Sequence, residues 1–428
     1  MKYAELSMEE KKEQLKRAQI EFDCLCKLKL SLDLSRGKPI GEQLDLSNEL
    51  FTVLTGEHGD YIGERGFDYR NYGCLDGIPE AKTLFAELLE VPAEQVFVGG
   101  NSSLELMFLL VSHGMIDGIC GARPWSRVEH RKFLCPAPGY DRHFAITEHF
   151  GFELIPIAMH DDGPDMDAVE AYAADPTVKG IWCVPKYQNP TGVIFSDAVI
   201  RRFAELRPAA EDFRIFWDNA YCIHDFDADT PKIPDLLALC EAAGNPDLVY
   251  EFCSTSKISF PGGGISAVAA SPANLIDIKS FLKFATIGPD KLNQLRHARF
   301  FKNSAGLAAQ MQKHAALLRP KFEAVYGALH EELDGTGVGD WTEPQGGYFL
   351  SYNTPRGCAR AVVAMCANLG VRFTPAGATY PYGIDPDDCN IRIAPSFATV
   401  EDGKAATHIL ALCTKIVYID KLLSEEEK

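Results

Sequence analysis

Lys257 has the neighbours of a lysine that could react with a carbonyl group. It lies in the run Ser-Thr-Ser-Lys at 254–257, directly after an apolar segment at 248–253 and shortly before three glycines at 262–264. A lysine amine attacks a carbonyl only in its neutral form, and partial burial beside polar groups favours that form. The motif is short and most lysines are solvated, so Lys257 alone does not establish a reactive site.

A phosphate-binding turn is the second candidate feature. The sequence Gly-Gly-Asn-Ser-Ser at 99–103 lies between a predicted strand and a predicted helix. Free amides and the helix dipole at such a start bind phosphate, and Ser102 and Ser103 add hydroxyl donors. A plain turn with serine caps explains the same residues. Tyr140, held between prolines and a glycine on one side and Asp-Arg-His on the other, could stack on a flat ring or pack beneath its own loop.

Asn189 and Asp218 also follow predicted strands. Asn189 begins the turn Asn-Pro-Thr-Gly, whose rigidity can aim the amide at a ligand oxygen. Asp218 ends a strand among apolar neighbours, where a carboxylate is costly to bury unless it pairs with a cation. A protonated heteroaromatic nitrogen would be such a cation. A surface turn and a capping carboxylate are the alternative interpretations.

The elements that position these residues alternate along the chain from about residue 80. Helical stretches separate short apolar strands, which we predict at 96–98, 132–135, 152–157, 180–184, 214–217 and 248–253. This alternation predicts an α/β fold with a mostly parallel sheet between layers of helices, and ligands bind at the carboxyl ends of such strands.

Three regions follow from the same pattern. Residues 1–45 are predicted to be an N-terminal helix and arm that pack with a small domain, and the helix is predicted to start at a capping box formed by Ser7 and Glu10. Residues 46–304 form the large domain, and residues 305–428 form a smaller α+β domain.

Composition excludes several classes of function. The chain has 428 residues, of which 46% are hydrophobic, so a large core is possible. Its 42 basic and 60 acidic residues give a net charge of -18, which argues against nucleic acid and anionic membranes as partners. The 13 cysteines have no metal-ligand spacing, and no apolar run reaches a membrane-spanning length. We therefore expect free thiols, no metal and a cytoplasmic protein.

The ordered set of motifs resembles the fold-type I pyridoxal-phosphate aminotransferases over nearly the whole chain. The set runs from the phosphate turn through Tyr140, Asn-Pro-Thr-Gly, Asp-x-x-Tyr and Ser-x-x-Lys to Arg392 in Asn-Ile-Arg-Ile-Ala. The resemblance implies pyridoxal 5'-phosphate as cofactor and a ping-pong transfer of an amino group from an amino acid to a 2-oxo acid. In finer detail the chain resembles a bacterial aspartate aminotransferase subgroup, which implies aspartate and 2-oxoglutarate as substrates.

The same resemblance implies a role for each residue at the cofactor ring. Lys257 would form the Schiff base and shuttle the proton, and Asp218 would pair with the pyridine nitrogen, supported from behind by His143. Asn189 and Tyr221 would bind the phenolic oxygen, and Tyr140 would stack on the ring.

The resemblance also implies which residues hold the two charged groups. The phosphate would be held by Asn101, Ser102, Ser103, Ser254 and, from the neighbouring subunit of a homodimer, Tyr72. Arg392 would bind the substrate α-carboxylate in bidentate fashion, with the Gly37 backbone and Asn189 beside it.

One position departs from the family pattern. Many relatives have a phosphate-binding arginine eight residues after the lysine, where this chain has Ile265. We therefore expect amides, hydroxyls or another cation to hold the phosphate. A second cation is also needed for a dicarboxylate substrate, and the sequence does not rank its candidates: Arg36, Lys38, Lys291, Arg296 and Arg299.

Other functions stay open at this point. The same lysine could serve an aminotransferase for aromatic or alanine-type substrates or a β-lyase, since the outcome depends on which substrate bond lies perpendicular to the ring. A transcription regulator that uses the cofactor as a sensor is disfavoured, because the segment before Asp33 is too short for a DNA-binding domain.

Overall fold

A central sheet of eight strands organises the larger part of the molecule. The computed structural model describes residues 2–227, 230 and 232–427. The strands of this sheet are β2 (Val96–Val98), β3 (Lys132–Ala137), β4 (Glu153–His160), β5 (Gly163–Pro164), β6 (Val178–Cys183), β7 (Arg214–Asp218), β8 (Val249–Ser254) and β9 (Ser266–Ala270), and their order is β2-β9-β8-β7-β6-β3-β4-β5. The five strands from β4 through β3, β6 and β7 to β8 are parallel. The predicted α/β fold is confirmed.

The helices form layers on both faces of this sheet and a separate bundle near the C-terminus. They are α1 (Met8–Leu25), α2 (Gly41–Asp45), α3 (Pro79–Leu89), α4 (Ser103–Ile116), α5 (Asp141–His149), α6 (Met166–Ala173), α7 (Asp197–Glu205), α8 (Leu236–Ala242), α9 (Pro272–Leu282), α10 (Lys291–Phe301), α11 (Ser304–Leu333), α12 (Ala359–Asn368) and α13 (Val400–Glu426).

Burial explains why the parallel strands read as continuous apolar runs. Strands β6, β7 and β8 are buried along their whole length, because apolar clusters cover the sheet on both faces. Asp218 ends β7 opposite Phe252 in β8. The last residues of β7 and β8 therefore lie together at one edge of the sheet, beside the ends of β3 and β6.

A second apolar core lies around two small sheets. The antiparallel sheet β10 (Asp340–Trp341), β11 (Leu350–Asn353) and β13 (Asn390–Ile393) packs with α11, α12 and α13, and β1 (Leu32–Asp33) pairs in parallel with β12 (Val371–Arg372). The predicted boundaries at residues 45 and 304 remain a proposal.

The N-terminal helix begins as predicted. Ser7 accepts a hydrogen bond from the Glu10 amide, and the Glu10 carboxylate accepts one from the Ser7 amide, so the capping box is confirmed. Helix α1 then packs along α13, where Lys11 pairs with Glu426 and His408 contacts Glu21. The N-terminal segment is thereby held against the C-terminal helix.

One apolar helical stretch among the described residues, Ser103–Gly121, is long enough to cross a membrane. Half of it is buried inside the protein. Leu106, Met107 and Leu110 pack in the same cluster as Trp125, beneath the sheet. Its apolar character is therefore explained by its position as a helix packed in the core against the central sheet.

Candidate active site

The carboxyl ends of the parallel strands open into a cavity of about 900 Å³ that the small sheets close from the other side. Most of the residues singled out from the sequence line it: Gly37, Ser102, Ser103, Tyr140, Asn189, Asp218, Tyr221, Ser254, Lys257 and Arg392. Residues far apart in the chain meet there because β3, β6, β7 and β8 run in one direction.

Two predicted residues lie elsewhere. Asn101 braces a neighbouring loop: its Nδ2 donates to the Pro261 carbonyl at 3.0 Å and its Oδ1 accepts from the Gly264 amide at 2.8 Å. Tyr72 does not line the cavity of its own chain, and the residue is 77% exposed. The structure thus places Asn101 as a support of the glycine loop and Tyr72 on the surface.

Asp218 is held on one side only. Its Oδ2 accepts a hydrogen bond from His143 Nε2 at 2.9 Å, and the His143 ring stacks on Trp182 with centroids 4.6 Å apart. Its other oxygen, Oδ1, is buried without a hydrogen-bond partner among the described residues. A buried carboxylate oxygen without a hydrogen-bond donor costs free energy of folding. A protonated ring nitrogen in the adjoining cavity would supply the donor.

Aromatic rings surround the Lys257 amine. Its Nζ lies 4.8 Å from the ring centroid of Tyr221 and 5.6 Å from that of Tyr348. Burial raises the pKa of the Tyr221 phenol well above its usual value, so Tyr221 keeps its proton as a hydrogen-bond donor. Burial and the nearby Lys257 charge lower the pKa of His224 well below its usual value, so this ring stays neutral.

Hydroxyl groups line the cavity on the side of the large sheet. Ser102 is the N-cap residue of α4, Ser103 is its first residue, and Ser254 Oγ lies 3.2 Å from Ser256 Oγ. A helix N-terminus with several hydroxyls binds a phosphate without a cation. Ile265 is buried in the apolar cluster on one face of the sheet, so its side chain belongs to the core.

Arg392 projects from β13 into the cavity wall and is almost fully buried. Its Nη1 lies 3.2 Å from Asn189 Oδ1 and 3.1 Å from Asp141 Oδ1, and its Nε donates to Thr374 Oγ1 at 3.2 Å. The Phe349 ring lies 4.9 Å from its Cζ. A guanidinium held in this way presents a planar fork suited to a carboxylate.

Gly37 makes room for Phe349. A Cβ atom at this position would lie 2.3 Å from Phe349 Cζ, closer than any van der Waals contact. Since Phe349 packs against Arg392, the absence of a side chain at position 37 permits the observed arrangement of the guanidinium.

The structure separates the candidate cations for a second carboxylate. Arg36 and Lys38 line the cavity, whereas Lys291, Arg296 and Arg299 do not. Two arginines that the sequence analysis did not consider, Arg142 and Arg372, also line it.

Contacts already engage two of the cavity-lining cations. Arg372 pairs with Asp33 at 3.4 Å, and the Lys38 ammonium lies 3.8 Å from the centroid of the Phe397 ring. Arg36 and Arg142 are exposed and have no ion pair among the described residues. Arg142 could have been found from its position two residues after Tyr140, in the same strand-end segment.

Other site residues had weaker signals in the sequence. Ser256 belongs to the Ser-Thr-Ser-Lys motif itself, and Tyr348 and Phe349 follow two glycines at 346–347. Thr374 reaches the site only because β12 lies beside β1, which no local pattern encodes. The positions of these residues at the site become evident from the tertiary structure and could not be recognised from a sequence motif.

Comparison with known proteins gives a consistent picture. Residues 6–426 match the family model described as aspartate amino-transferase. An aminotransferase of Mycolicibacterium smegmatis is 48% identical over 93% of each chain, and an aspartate aminotransferase of Corynebacterium glutamicum is 46% identical over 92% of this chain and 91% of its own. The crystal structure of an aspartate transaminase from Corynebacterium glutamicum superposes with a TM-score of 0.96 at 42% identity and covers 99% of both chains.

Proposed function

Because the chain belongs to the aspartate aminotransferase family, it is an aminotransferase, and we propose that aspartate and 2-oxoglutarate are its substrates and pyridoxal 5'-phosphate its cofactor. The observation that supports the cofactor is that Asp218 Oδ1 has no hydrogen-bond partner in the described part of the chain and lies in the wall of the cavity that also holds Lys257. A ligand that suits both residues needs a protonated ring nitrogen for Asp218 and a carbonyl group for Lys257, and few ligands have the two together.

The residues present fit this cofactor. Ser102, Ser103, Ser254 and Ser256, with the α4 N-terminus, would hold the phosphate, and Tyr140 would cover the ring. The bound cofactor supplies an aldehyde for a lysine and a ring that withdraws electrons from the substrate Cα. Asp218 would keep the ring nitrogen protonated.

Other residues of the chain would handle the substrate. Lys257 would move a proton to and from the substrate Cα, because the motif shared with the family places this basic amine in the cavity. Arg392 would orient the α-carboxylate beside Asn189, and the Tyr221 phenol would remain a donor through the reaction because its pKa is raised. Asn101 is better assigned to support of the loop at 261–264 than to the phosphate.

An absorbance spectrum tests the cofactor and the substrates together. Purified protein with pyridoxal phosphate should show a visible band that aspartate removes and 2-oxoglutarate restores. Lys257→Ala should lose the lysine-dependent band, whereas the matched variant Lys38→Ala, which alters another lysine of the same cavity, should keep it. Absence of a band in the wild type contradicts the cofactor assignment.

The same experiment separates the alternative activities. A band that ignores aspartate and responds to alanine or tyrosine would identify an aminotransferase of different substrate class, and release of a 2-oxo acid from cystathionine would identify a β-lyase. Either result keeps the cofactor and rejects aspartate.

We propose that Arg36 and Arg142 face the second carboxylate of a dicarboxylate substrate, since both line the cavity without an ion pair among the described residues. Substitution of each by Gln should raise KM for aspartate about tenfold or more and leave alanine turnover nearly unchanged. Arg372→Gln is the matched control, because Arg372 lines the same cavity but is already paired. Equal effects on aspartate and alanine would contradict the assignment.

A homodimer is proposed from one surface of the molecule. Tyr72, Phe284 and Ile287 are large apolar side chains that are strongly exposed. Their segments adjoin, because a Cβ at Gly288 would lie 2.3 Å from the Gly73 carbonyl oxygen. Such a patch favours contact with a second copy, in which Tyr72 would reach the partner's phosphate site. A monomer in analytical ultracentrifugation would contradict this.

A cytoplasmic location is part of the same proposal. The 13 cysteines are free thiols, and several of them are buried in the apolar cores. Free thiols in such number favour a reducing compartment.

A further inference from the structure

Arg392 already holds a carboxylate of the protein itself. Asp141, the first residue of α5, accepts a hydrogen bond from Arg392 Nη1 at 3.1 Å. Both residues line the cavity. Asp141 therefore occupies part of the guanidinium surface that a substrate carboxylate would use, and the following argument rests on the proposed role of Arg392 as the α-carboxylate site.

A count of the guanidinium N–H groups shows that the present partners of Arg392 and a bidentate substrate carboxylate compete for the same donors. Nη1 has two N–H groups, and Asn189 and Asp141 accept them; Nε has one, and Thr374 accepts it. A bidentate carboxylate needs two parallel N–H groups, from either Nη1 and Nη2 or Nε and Nη2. Each pair includes an atom that already has a partner, so one partner has to leave.

Burial identifies the partner that can leave. Asn189 is 4% exposed and Thr374 is 5% exposed, so neither has space to withdraw. The Asp141 side chain is 37% exposed at the cavity wall. It also has an alternative environment, because it lies at the N-terminus of α5, where the helix dipole favours a carboxylate.

We propose that Asp141 is a built-in competitor for the carboxylate site of Arg392. In the absence of substrate its carboxylate neutralises the buried guanidinium and keeps it oriented. A substrate carboxylate brings a second negative charge to the same cation and displaces Asp141 toward the α5 N-terminus. Asp141 thus lowers the affinity for amino acids and 2-oxo acids alike, and it sets the substrate concentration at which the site fills.

Binding of succinate to the cofactor-loaded enzyme tests this without catalysis, because succinate has two carboxylates and no amino or oxo group to react. Asp141→Asn keeps the size of the side chain and removes its charge. By isothermal titration calorimetry it should bind succinate at least about fivefold more tightly than the wild type, a typical coupling between competing ligands. Asp141→Ser, which suits a helix start, provides a second variant if Asn impairs folding.

Two controls separate the possible causes. In an Arg372→Gln background, Asp33→Asn removes an equal charge from the same cavity wall without freeing a cation, and it should change succinate affinity less than about twofold relative to that background. Arg392→Gln should weaken succinate binding about tenfold or more. If it does not, the proposed carboxylate role of Arg392 is wrong.

A different set of succinate affinities would contradict the proposed role of Asp141 while leaving that of Arg392 intact. If Arg392→Gln weakens binding but the Asp141 variants bind succinate as the wild type does, or more weakly, then Asp141 is not a competitor. If Asp33→Asn in the Arg372→Gln background tightened succinate binding as much as Asp141→Asn does, this would show a general charge effect and would also overturn the proposal. In a crystal of the succinate complex, Asp141 Oδ1 should lie beyond hydrogen-bond distance from Arg392 Nη1.

Discussion

Asp218 binds His143 through one carboxylate oxygen and leaves the other without a partner among the described residues. The Oδ2–Nε2 distance is 2.9 Å, and both side chains are buried. His143 therefore fixes the direction of the carboxylate, and the second oxygen stays available to a ligand in the cavity. The pair links the packing of α5 against the sheet to the chemistry of the cavity.

The first prediction concerns this pair. Asp218→Asn keeps the shape of the side chain but removes its charge, and it should lower the rate of the aspartate half-reaction at least about 100-fold, because the ring nitrogen loses its counter-ion. His143→Ala should lower the same rate about tenfold, as loss of an orienting partner does. Stopped-flow absorbance measures both.

A buried aspartate elsewhere provides the control for this prediction. Asp212 accepts hydrogen bonds from Trp125 and Lys179 and does not line the cavity. Asp212→Asn should lower Tm without changing the half-reaction rate of the folded enzyme. An Asp218→Asn variant with wild-type rate would show that this carboxylate does not serve the cofactor.

The second prediction uses two glycines. Gly37→Ala places a methyl group 2.3 Å from Phe349 Cζ, so the ring has to shift against Arg392. KM for aspartate should rise about tenfold or more, while the affinity for pyridoxal phosphate stays the same. Gly41→Ala is matched, because among the described residues no atom from beyond its own turn of helix lies within 4 Å of the added Cβ. A normal KM for Gly37→Ala would mean that Phe349 does not position the guanidinium.

The third prediction concerns Ile265, which stands where the resemblance to the family led us to look for a phosphate-binding arginine. Ile265 lies in the core, so Ile265→Arg buries a charge and should lower the free energy of unfolding by about 3 kcal/mol or more, without tightening cofactor binding. Ile265→Val should cost only about 1 kcal/mol. Urea denaturation and cofactor titration measure the two effects. Tighter cofactor binding by a stable Ile265→Arg variant would show that the side chain reaches the phosphate.

The fourth prediction is a pH dependence of stability. Burial raises the pKa of the Glu251 carboxyl from its usual 4.5 to about 8, although Asn219 Nδ2 donates to it at 2.9 Å. Between these values the folded protein holds a proton that the unfolded chain has lost. Stability therefore falls as pH rises through this window and levels off above pH 8.

Glu251→Gln should remove this contribution and raise Tm more at pH 8.5 than at pH 5. Asp175→Asn is the control of opposite sign, because hydrogen bonds from Lys132 and Thr177 lower the Asp175 pKa to about 2. Its effect on Tm should be the same at both pH values, because both lie above the usual aspartate pKa of 3.8 as well as above the lowered value. A Glu251→Gln effect independent of pH would show that the buried carboxyl is ionised in the folded protein.

The sequence predicted the parallel part of the sheet well, because strands buried on both faces are apolar throughout. It missed β9, which inserts antiparallel between β2 and β8. Residues 266–270 are a serine, three alanines and one valine, and such small side chains give a weak strand signal. The predicted N-terminal helix and arm of residues 1–45 also contains the short helix α2, whose Gln43 is buried against Tyr348 and which no local pattern indicated.

The sequence by itself determined which candidate residues the cavity would hold, because Lys257, Asp218, Asn189 and Arg392 lie in short motifs at predicted strands and strand ends. Only the tertiary structure decided their partners. That Asp141 meets Arg392, and that Ile265 turns into the core, depend on contacts between segments far apart in the chain. The first contact is made between the large sheet's helices and β13, and the second lies within the core of the large sheet, and no local periodicity records either.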